Sequence, residues 1–358
     1  MTWTPRERGR PVAKAGVIGL DIGATCVRAA EVSKSSANGS ATLTRYAEVP
    51  LPLGTVRDGE VEDAATVSAA IRQLWSVGKF ATRDVNIGVG NQRVIVRELD
   101  LPWLPLAQLK QSLPFQVGEL LPMPADEALL DFLPTAEVDG PQGRMLHGML
   151  VAATRDTVRA NILAVESAGL RPQMVDLSSF ALLRALIGGE AATKTVAVVE
   201  IGAQITQVVV VASGAPRFVR ILPFGGNHTT EAVARELSVS FQEAEDLKRK
   251  VGLGMEVPGE LQAVGNAVLE TARPLVESIR NTFVYYASNN PGAAVDLVVL
   301  AGGGAMLPGL GQYLASASRI PVSVGDALST VRRGKHLVLG DHGRVAAVPV
   351  GLAKAVAA

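Results

Sequence analysis

The chain has 358 residues, of which 48% are hydrophobic and 19% charged, a composition typical of folded proteins with room for two or three domains. Its 34 basic and 34 acidic side chains cancel, which argues against nucleic-acid binding through bulk positive charge. The single cysteine, Cys26, excludes a disulfide framework and a cysteine-based zinc site, and it fits a reducing compartment. The four histidines follow no metal-ligand spacing, so we expect them at the surface or in loops.

No segment offers the roughly 18 uninterrupted apolar residues of a transmembrane helix, so the sequence predicts none. Residues 1–15 carry several basic side chains and two prolines, with no apolar segment behind them. This pattern predicts a mobile N-terminal tail and not a secretion signal. We therefore expect a soluble protein of the cytoplasm.

The first half of the chain alternates segments of strand and helix character. Apolar periodicity and turn residues predict, in chain order, a hairpin around Gly23, a polar turn at Ser33–Ala41, a helix at Asp63–Val77, strands at Val85–Val89 and Val94–Leu99, a helix at Leu106–Leu121, strands at Ala128–Phe132 and Arg144–Ala153, and a helix at Thr154–Ala168 with Thr154 as its N-cap.

The second half opens with another hairpin and is richer in helix. The predicted elements are the hairpin at Val196–Val211, helices at Thr229–Leu237, Ser240–Val251 and Leu261–Ser288, a buried strand at Asp296–Leu300, a helix at Pro308–Ser318, and a closing strand and helix. Ser240 and Glu243 have the spacing of a capping box, which marks the start of the second of these helices.

Two strand–turn–strand segments half a chain apart resemble each other. Val17–Ala24 and Val196–Ala203 each combine an apolar run, an acidic residue and Ile-Gly-Ala, and a second run of β-forming residues follows each. A strand, a glycine turn and a second strand form a β-hairpin. The repeat predicts two related domains that open with the same element, and chance similarity of two short hairpins is the alternative.

A turn of small residues can bind phosphate, because its backbone N–H groups converge and no side chain blocks the approach. Asp21 and Glu200 hold matching positions just before the two turns, where a carboxylate could bind a hydrated Mg²⁺. One turn alone is well explained as a plain turn. The presence of both turns favours a site in which they face each other and bind one phosphate chain between them.

Two further segments could contact a nucleotide. Three glycines at 302–304 separate a buried strand from a helix, where a flat ring could lie against the backbone near Met306. Glu245 and Lys248, three residues apart on a predicted helix, could reach ribose hydroxyls and adenine. The alternatives are a tight strand-to-helix connection for the glycines and a solvated salt bridge for the charged pair.

Taken in this order, the four motifs resemble the nucleotide-binding motifs of the actin superfamily. Within it the chain is similar to the PilM family of type IV pilus assembly proteins, relatives of the division protein FtsA. The similarity runs from about Gly16 to Lys354, and its motifs are Gly19–Gly23, Leu222–Gly226, Ala244–Lys248, Gly302–Gly304 and Val350–Leu352. It implies an α/β protein with a two-lobed actin-like ATPase fold and an inserted subdomain of the FtsA/PilM type.

The resemblance also implies which residues bind ligands and how the domains divide. The expected ATP-binding residues are Gly23, Ala24, Thr25, Gly202, Ala203, Gln204, Thr206, Gly225, Gly226, Glu245, Lys248, Gly302, Gly303, Gly304 and Met306, with Asp21 and Glu200 holding Mg²⁺ through water. The expected divisions are a tail at 1–15, a first lobe at 16–93, 172–194 and 336–358, an inserted subdomain at 94–171, a second lobe at 195–226 and 290–335, and its helical subdomain at 227–289.

For function, the resemblance implies an ATP-binding scaffold on the inner face of the cytoplasmic membrane, in a pilus or a related type II secretion machine. There it would bind the short N-terminal cytoplasmic peptide of a PilN-like membrane protein, in a groove involving the inserted subdomain. Contact with nucleic acid is not implied, and the membrane is reached through a partner. Self-association stays open, as do the groove residues, for which the helix at Leu104–Leu121 and a nearby strand edge are candidates.

The chain departs from the family pattern at Glu200, where aspartate is usual. The carboxylate is one methylene longer, and a displacement of about 1 Å at a reaction centre can cost about a hundredfold in rate. No further residue is identified as a catalytic base. We therefore expect ATP to bind with slow or negligible hydrolysis and to act as a conformational ligand.

Two other functions share this fold class. A small-molecule kinase needs a base in the cleft; Asp84 and Asp100 are available, but neither belongs to a sugar-site motif. An FtsA-like filament protein needs an amphipathic membrane helix at its end. The segment Gly351–Ala358 is short and has one lysine, so we expect the last helix to pack on the first lobe.

Overall fold

The computed structural model describes residues 16–34, 41–141, 143–254, 257–335, 337, 339 and 343–355. The predicted tail at 1–15 and most of the predicted turn at 33–41 lie outside these residues. In chain order the helices and strands are β1 (Val17–Ile22), β2 (Cys26–Lys34), β3 (Ala41–Pro50), β4 (Val56–Arg57), β5 (Glu60–Val61), α1 (Ala64–Gly78), β6 (Asp84–Val89), β7 (Ile95–Pro102), α2 (Leu106–Val117), β8 (Ala128–Gly140), β9 (Gly143–Thr154), α3 (Arg155–Ser167), β10 (Arg171–Leu177), α4 (Ser178–Leu186), β11 (Thr195–Ile201), β12 (Thr206–Ala212), β13 (Ala215–Leu222), α5 (Gly226–Leu237), α6 (Phe241–Val251), α7 (Gln262–Asn289), β14 (Leu297–Ala301), α8 (Leu310–Ser318), β15 (Val322–Val324), β16 (Arg332–Arg333) and α9 (Ala347–Lys354).

Two sheets with the same connectivity form the two lobes. The first has the strand order β10-β6-β1-β2-β3-β16 and the second β13-β12-β11-β14-β15. In each, the first three strands form an antiparallel meander, and the next two strands add in parallel on the side of the first strand. The two sheets therefore repeat one topology, as the repeated hairpin predicted, and the division of the chain into domains stays a prediction.

The central strands of the second sheet are covered on both faces. Val196 and Val198 of β11 pack into a core with α4 and α9, while Ala197 and Val199 pack into a separate core with α5, α7 and α8. A strand that is buried on both sides has no polar face. This is why Val196–Val199 of β11 and Val208–Ala212 of β12 are continuous apolar runs and not alternating ones.

Two helices exchange between the lobes. Helix α4 follows β10 of the first sheet and packs on β11 and β12 of the second as well as on β10 and β6, whereas α9 packs on β1, β2 and β6 of the first. A Cβ atom at Gly351 would lie 1.8 Å from the carbonyl oxygen of Ala181, so the two helices are in backbone contact. The core around them, which includes Val32, Leu182 and Val198, belongs to both lobes. The expected packing of the last helix on the first lobe is confirmed.

An inserted sheet of order β7-β9-β8 carries helix α2 on one face. Its own small core includes Leu109, Leu113 and Phe132. Strand β8 extends eight residues beyond the predicted end at Phe132, because it pairs with β9 as far as Gly140, whose partner is Gly143. Helix α3, which we predicted as part of the inserted block, instead packs its Ala164 and Val165 into the first-lobe core with α1.

Helices α1 and α6 begin at capping side chains, whereas the predicted cap of α3 is absent. Asp63 accepts hydrogen bonds from the N–H groups of Ala65 and Thr66 at the start of α1. The predicted capping box of Ser240 is present at α6. Thr154 precedes α3 as predicted, but it does not cap the helix. Its hydroxyl bonds to the hydroxyl of Thr157 and not to a backbone N–H.

Candidate functional site

Both glycine turns have the same hydrogen-bonded geometry. The Gly23 N–H donates to the carbonyl oxygen of Cys26 at 3.0 Å, and the Gly202 N–H donates to that of Ile205 at 2.9 Å. The two residues at each tip are Ala24–Thr25 and Ala203–Gln204. Their backbone N–H groups take no part in the two bonds that close the turns. The second turn is also fixed to the start of α5, since the Gly226 N–H donates to the carbonyl oxygen of Gly202 at 2.9 Å.

A cavity of about 320 Å³ lies between the lobes and is lined by both turns. This volume is within the range of roughly 300–1,000 Å³ found for small-molecule sites. The predicted residues on its wall are Asp21, Gly23, Ala24, Thr25, Glu200, Gly202, Ala203, Gln204, Gly226, Glu245, Lys248, Gly302, Gly303 and Gly304. The structure thus brings the two turns to one cavity, and their contact with a nucleotide stays a prediction.

A second cavity of about 480 Å³ adjoins the first, and both are lined by Thr25, Gly226 and Lys248. Predicted residues Gly225 and Met306 lie on its wall. Helix α7 and the segment after Gly304 give it an apolar side formed by Ala272, Leu275, Leu307 and Leu310. The combined cleft therefore has one end rich in backbone N–H groups and another with an apolar wall.

The glycine segment after β14 lies directly against the acidic end of β11. Gly302 has a φ of +83°, and a Cβ atom there would lie 2.5 Å from both the Glu200 side chain and the carbonyl oxygen of Ile201. Glycine is required for this backbone conformation and for this close approach. A Cβ atom at Gly303, in contrast, would have no neighbour within 4 Å. The segment therefore closes the cavity beside the second turn.

The charged pair on α6 is buried, so the alternative of a solvated salt bridge is wrong. The side chains of Lys248 and Glu245 are 9% and 19% exposed. The Lys248 ammonium donates to Glu245, to the Thr230 hydroxyl at 2.8 Å and to the carbonyl oxygen of Gly226 at 3.2 Å. An ammonium has three N–H donors. Lys248 therefore joins α6 to the start of α5, and its contact with ribose or adenine remains a prediction.

Two partly buried carboxyl groups, Asp21 and Glu200, face the same cavity from opposite lobes. Burial raises the pKa of Asp21, and the nearby Arg28 partly offsets this effect. Burial, followed by the negative charge of Asp21, raises the pKa of Glu200 to about 7. A cation between the two groups would favour their ionised forms. The donor set therefore fits the predicted magnesium position.

The sequence analysis missed two side chains at these carboxyl groups. Arg28 lies 3.6 Å from Asp21, and the amide of Gln207 donates to Glu200 at 3.4 Å while its oxygen accepts from the Ser179 hydroxyl at 2.6 Å. Both are cross-strand partners, since Asp21 pairs with Arg28 and Glu200 with Gln207 in the two hairpins. The hairpin register was the signal that could have found them.

The prediction that Thr206 belongs to the nucleotide site is wrong. It is fully buried, its hydroxyl donates to the carbonyl oxygen of Phe224 at 2.7 Å, and it does not line either cavity. Successive side chains of a strand point to opposite faces. Because Gln207 faces the cavity, the preceding residue points away from it.

The two aspartates considered for a kinase lie elsewhere. Asp84 pairs with Arg171, and Asp100 bonds to His147 at 2.6 Å; neither lines the cleft. Among the described residues, no group of three or more His, Cys, Asp or Glu side chains could hold a metal ion. Within the same part of the chain, no helix is long and apolar enough to cross a membrane.

The family described as type IV pilus assembly protein PilM matches residues 19–354. This chain belongs to that family. It is also 24% identical to the cell division protein FtsA of Streptococcus pneumoniae, over 82% of this chain and 71% of that protein. A similar comparison with FtsA of Bacillus subtilis gives 21% identity over 66% of this chain and 58% of that protein.

Solved structures support the same assignment. A chain in the PilM–PilN type IV pilus biogenesis complex is similar with a TM-score of 0.80 and 25% identity, over 95% of this chain and 98% of that one. MreB5 of Spiroplasma citri bound to ADP has a TM-score of 0.52 at 13% identity, over 95% of each chain, and shows likeness of fold alone. The predicted actin-like, FtsA-related fold is confirmed.

Proposed function

We propose that this chain binds ATP between its lobes and acts as a scaffold in a type IV pilus assembly complex at the inner face of the cytoplasmic membrane. The observation that carries the proposal is that two glycine turns from separate sheets line one cavity. Converging backbone N–H groups bind phosphate oxygens well. Membership of the PilM family supports the role in pilus assembly.

The two parts of the cleft suit the two ends of ATP. Its phosphates fit the first cavity, where Ala24 and Ala203 leave the turns open, and its base fits the apolar wall around Leu275 and Leu307. Mg²⁺ usually binds through one or two carboxylates, phosphate oxygens and water. Asp21 and Glu200 would hold it, and when bound it would supply positive charge beside the phosphates.

Hydrolysis is expected to be slow. Glu200 is longer than aspartate, and its position is fixed by Gln207, which is itself held by Ser179. Apart from Glu200, which is assigned to the metal, no described side chain on the cavity wall stands out as a base for the attacking water. A phosphate-release assay should therefore give a turnover far below the roughly 1 s⁻¹ at the low end for ordinary enzymes. Turnover in the ordinary range would contradict the role of ATP as a conformational ligand.

Calorimetry with ATP tests the site through a matched pair of variants at Ala24. The substitution Ala24→Asp adds a carboxylate to the first turn, and at about 4 Å two like charges near a protein surface repel by roughly 4 kcal/mol. We expect Ala24→Asp to weaken ATP binding at least about tenfold and Ala24→Ser to bind like the wild type. Equal affinity for all three proteins would place ATP elsewhere.

For the partner peptide, we propose the groove between the inserted sheet and the second lobe. Its volume is about 730 Å³, and its wall includes Val96, Met149, Arg217, Phe218 and Tyr285. In the described part of each sheet, β7 and β13 are edge strands, and they lie next to each other here. An extended peptide can add to such an edge while its side chains enter neighbouring pockets.

Titration of the N-terminal cytoplasmic peptide of a PilN-like protein into the full chain distinguishes this groove from the α2 surface. Tyr285 is 55% exposed at the groove, and Phe115 is 90% exposed on α2. We expect Tyr285→Ser to weaken peptide binding and Phe115→Ser to leave it unchanged, because only the first side chain lines the groove. The reverse result would assign the peptide to α2.

A further inference from the structure

Two loops meet at the end of the first lobe that lies away from the cleft. They join α1 to β6 and α3 to β10, and they precede parallel strands whose opposite ends lie beside the cavity. The Arg171 N–H donates to the carbonyl oxygen of Arg83 at 2.8 Å, which joins the two loops. Arg72 of α1 donates to the carbonyl oxygen of Ser167 of α3 at 3.0 Å, so the two helices end side by side. The loops and helix ends therefore form one face.

This face of the first lobe carries unpaired positive charge. We call it the basal surface, and its ionisable side chains, within residues 72–84 and 166–171, are Arg72, Lys79, Arg83, Arg171, Asp84 and Glu166. Arg171 and Asp84 form an ion pair at 2.7 Å. Lys79 and Arg83 are exposed, and within the described part of the chain neither of them forms an ion pair. These two cations are therefore available to a ligand.

The segment that leads into β1 adds charge of the same sign. Strand β1 pairs in parallel with β6, and Ile18 is opposite Val85, so Val17 lies beside the basal surface. Residues 1–15 contain four basic side chains and one acidic one, and Lys14 is three residues from Val17, a span of at most about 10 Å. Together with the basal surface they carry eight basic and three acidic side chains, although the whole chain has no net charge. Positive charge is therefore concentrated in these segments.

Exposed apolar side chains accompany these charges. Val77, in the last turn of α1, is 56% exposed, and Val17 is 40% exposed. Proteins that bind a membrane surface place apolar side chains at the boundary of headgroups and acyl chains, and basic side chains beside anionic headgroups. Duplex nucleic acid offers phosphates but no apolar layer for the two valines. The combination of charged and apolar side chains therefore favours an anionic membrane as the ligand.

We propose that the basal surface binds the anionic headgroups of a phospholipid membrane, so that the chain contacts the membrane directly as well as through a partner. The inference rests on the proposed function for the location of the chain, and it adds which face is turned to the lipid. Each Lys or Arg near an anionic membrane surface strengthens binding about fivefold, and physiological salt screens the attraction beyond about 8 Å. The contact is therefore reversible and sensitive to salt.

Co-sedimentation of the full chain with vesicles tests the proposal. One set of vesicles contains phosphatidylcholine alone, and the other contains phosphatidylcholine with phosphatidylglycerol. We expect binding to the anionic vesicles only, and weaker binding as salt is added. Lys79→Gln combined with Arg83→Gln should bind about tenfold to thirtyfold more weakly, because two charges are lost. Arg235→Gln combined with Lys250→Gln removes two exposed charges from α5 and α6 and should bind like the wild type.

The outcomes separate this inference from the proposed function. Equal binding to both kinds of vesicle, or to neither, would overturn the inference without any variant. Binding that is lost only in Arg8→Gln combined with Arg10→Gln would assign the contact to residues 1–15 and overturn the role of the basal surface. Tighter binding to a DNA duplex than to anionic vesicles would assign the surface to nucleic acid. A chain that binds ATP and the PilN-like peptide but no vesicles would leave the proposed function standing.

Discussion

Gly302 and Gly303 are neighbours with opposite tolerance for a side chain. A Cβ atom at Gly302 would collide with Glu200 and Ile201, and its φ of +83° is unfavourable for alanine, whereas Gly303 has free space and a φ of −65°. A non-glycine residue in such a conformation costs about 1–3 kcal/mol before any collision. We therefore expect Gly302→Ala to lower the free energy of unfolding by about 2 kcal/mol or more.

Gly303→Ala is the matched control for this prediction. It should change the free energy of unfolding by less than about 0.5 kcal/mol, because the new methyl group meets nothing in the protein. Urea denaturation of both variants provides the measurement. Similar losses in the two variants would mean that the glycine segment does not lie against β11 as described.

The acidic residues and glycines of the site could be predicted from the sequence, because they recur in two copies at matching positions. Arg28 and Gln207 follow from the register once each turn is known to close between its first and fourth residues. The three bonds of Lys248 could not be predicted in this way. They depend on how α6 meets α5, and side-chain contacts between helices are not encoded by local spacing.

His147 links two strands of the inserted sheet and is not the loop or surface histidine that we predicted. It lies in β9, with Nδ1 2.6 Å from Asp100 and Nε2 2.8 Å from Glu98, both on β7. Burial alone would lower the pKa of His147, but the hydrogen bonds that its ring donates to these two carboxylates outweigh burial and raise the pKa above 6.5. Protonation therefore strengthens the pairing of β7 with β9.

A raised pKa in the folded state gives a defined dependence of stability on pH. The stabilisation is complete below the unfolded value of about 6.5 and is lost as the pH rises through the folded pKa. We expect the free energy of unfolding of the wild type, relative to that of His147→Gln, to fall as the pH rises above about 6.5 and through the raised pKa of the folded state. Denaturation curves at several pH values provide the measurement. If the free energies of unfolding of the two proteins change equally with pH, protonation of His147 does not stabilise the folded state.

At the level of elements, apolar periodicity located α1, α5, α6 and α7 within a few residues. It did not reveal that α3 leaves the inserted block and packs on α1, because an amphipathic helix indicates a buried face and not the partner of that face. The length of β8 was also missed. Its second half pairs with β9 while carrying exposed polar residues, which look like loop in the sequence.

The exchange of α4 and α9 makes the whole molecule one structural unit. Helix α4 follows the first sheet and reaches the second, α9 comes near the end of the chain and packs on the first sheet, and the core between the two helices contains residues from both halves of the chain. The repeat in the sequence predicted two domains but not this crossing. The packing of α9 on the first lobe was expected, but its contact with α4 was not, because a helix that is buried on nearly all sides has no single apolar face that indicates its partner.

A substitution at the contact of α4 with α9 should therefore destabilise both lobes together. Gly351 lies in α9, and a Cβ atom there would lie 1.8 Å from the carbonyl oxygen of Ala181 on α4. The helices must separate to admit a methyl group, and overpacking of this kind costs about 1–3 kcal/mol or more. We expect Gly351→Ala to lower the free energy of unfolding by about 3 kcal/mol in a single transition.

Gly311→Ala provides the matched control in α8. A Cβ atom at Gly311 meets its nearest neighbour, Leu300, at an ordinary 3.8 Å. Alanine within a helix is favoured over glycine by about 0.5–1 kcal/mol, so this variant should be slightly more stable than the wild type. Thermal unfolding followed by circular dichroism compares the two variants. Two separate transitions in Gly351→Ala, with one lobe melting at the wild-type temperature, would contradict the shared core, because each lobe would then be stable without the exchanged helix of the other.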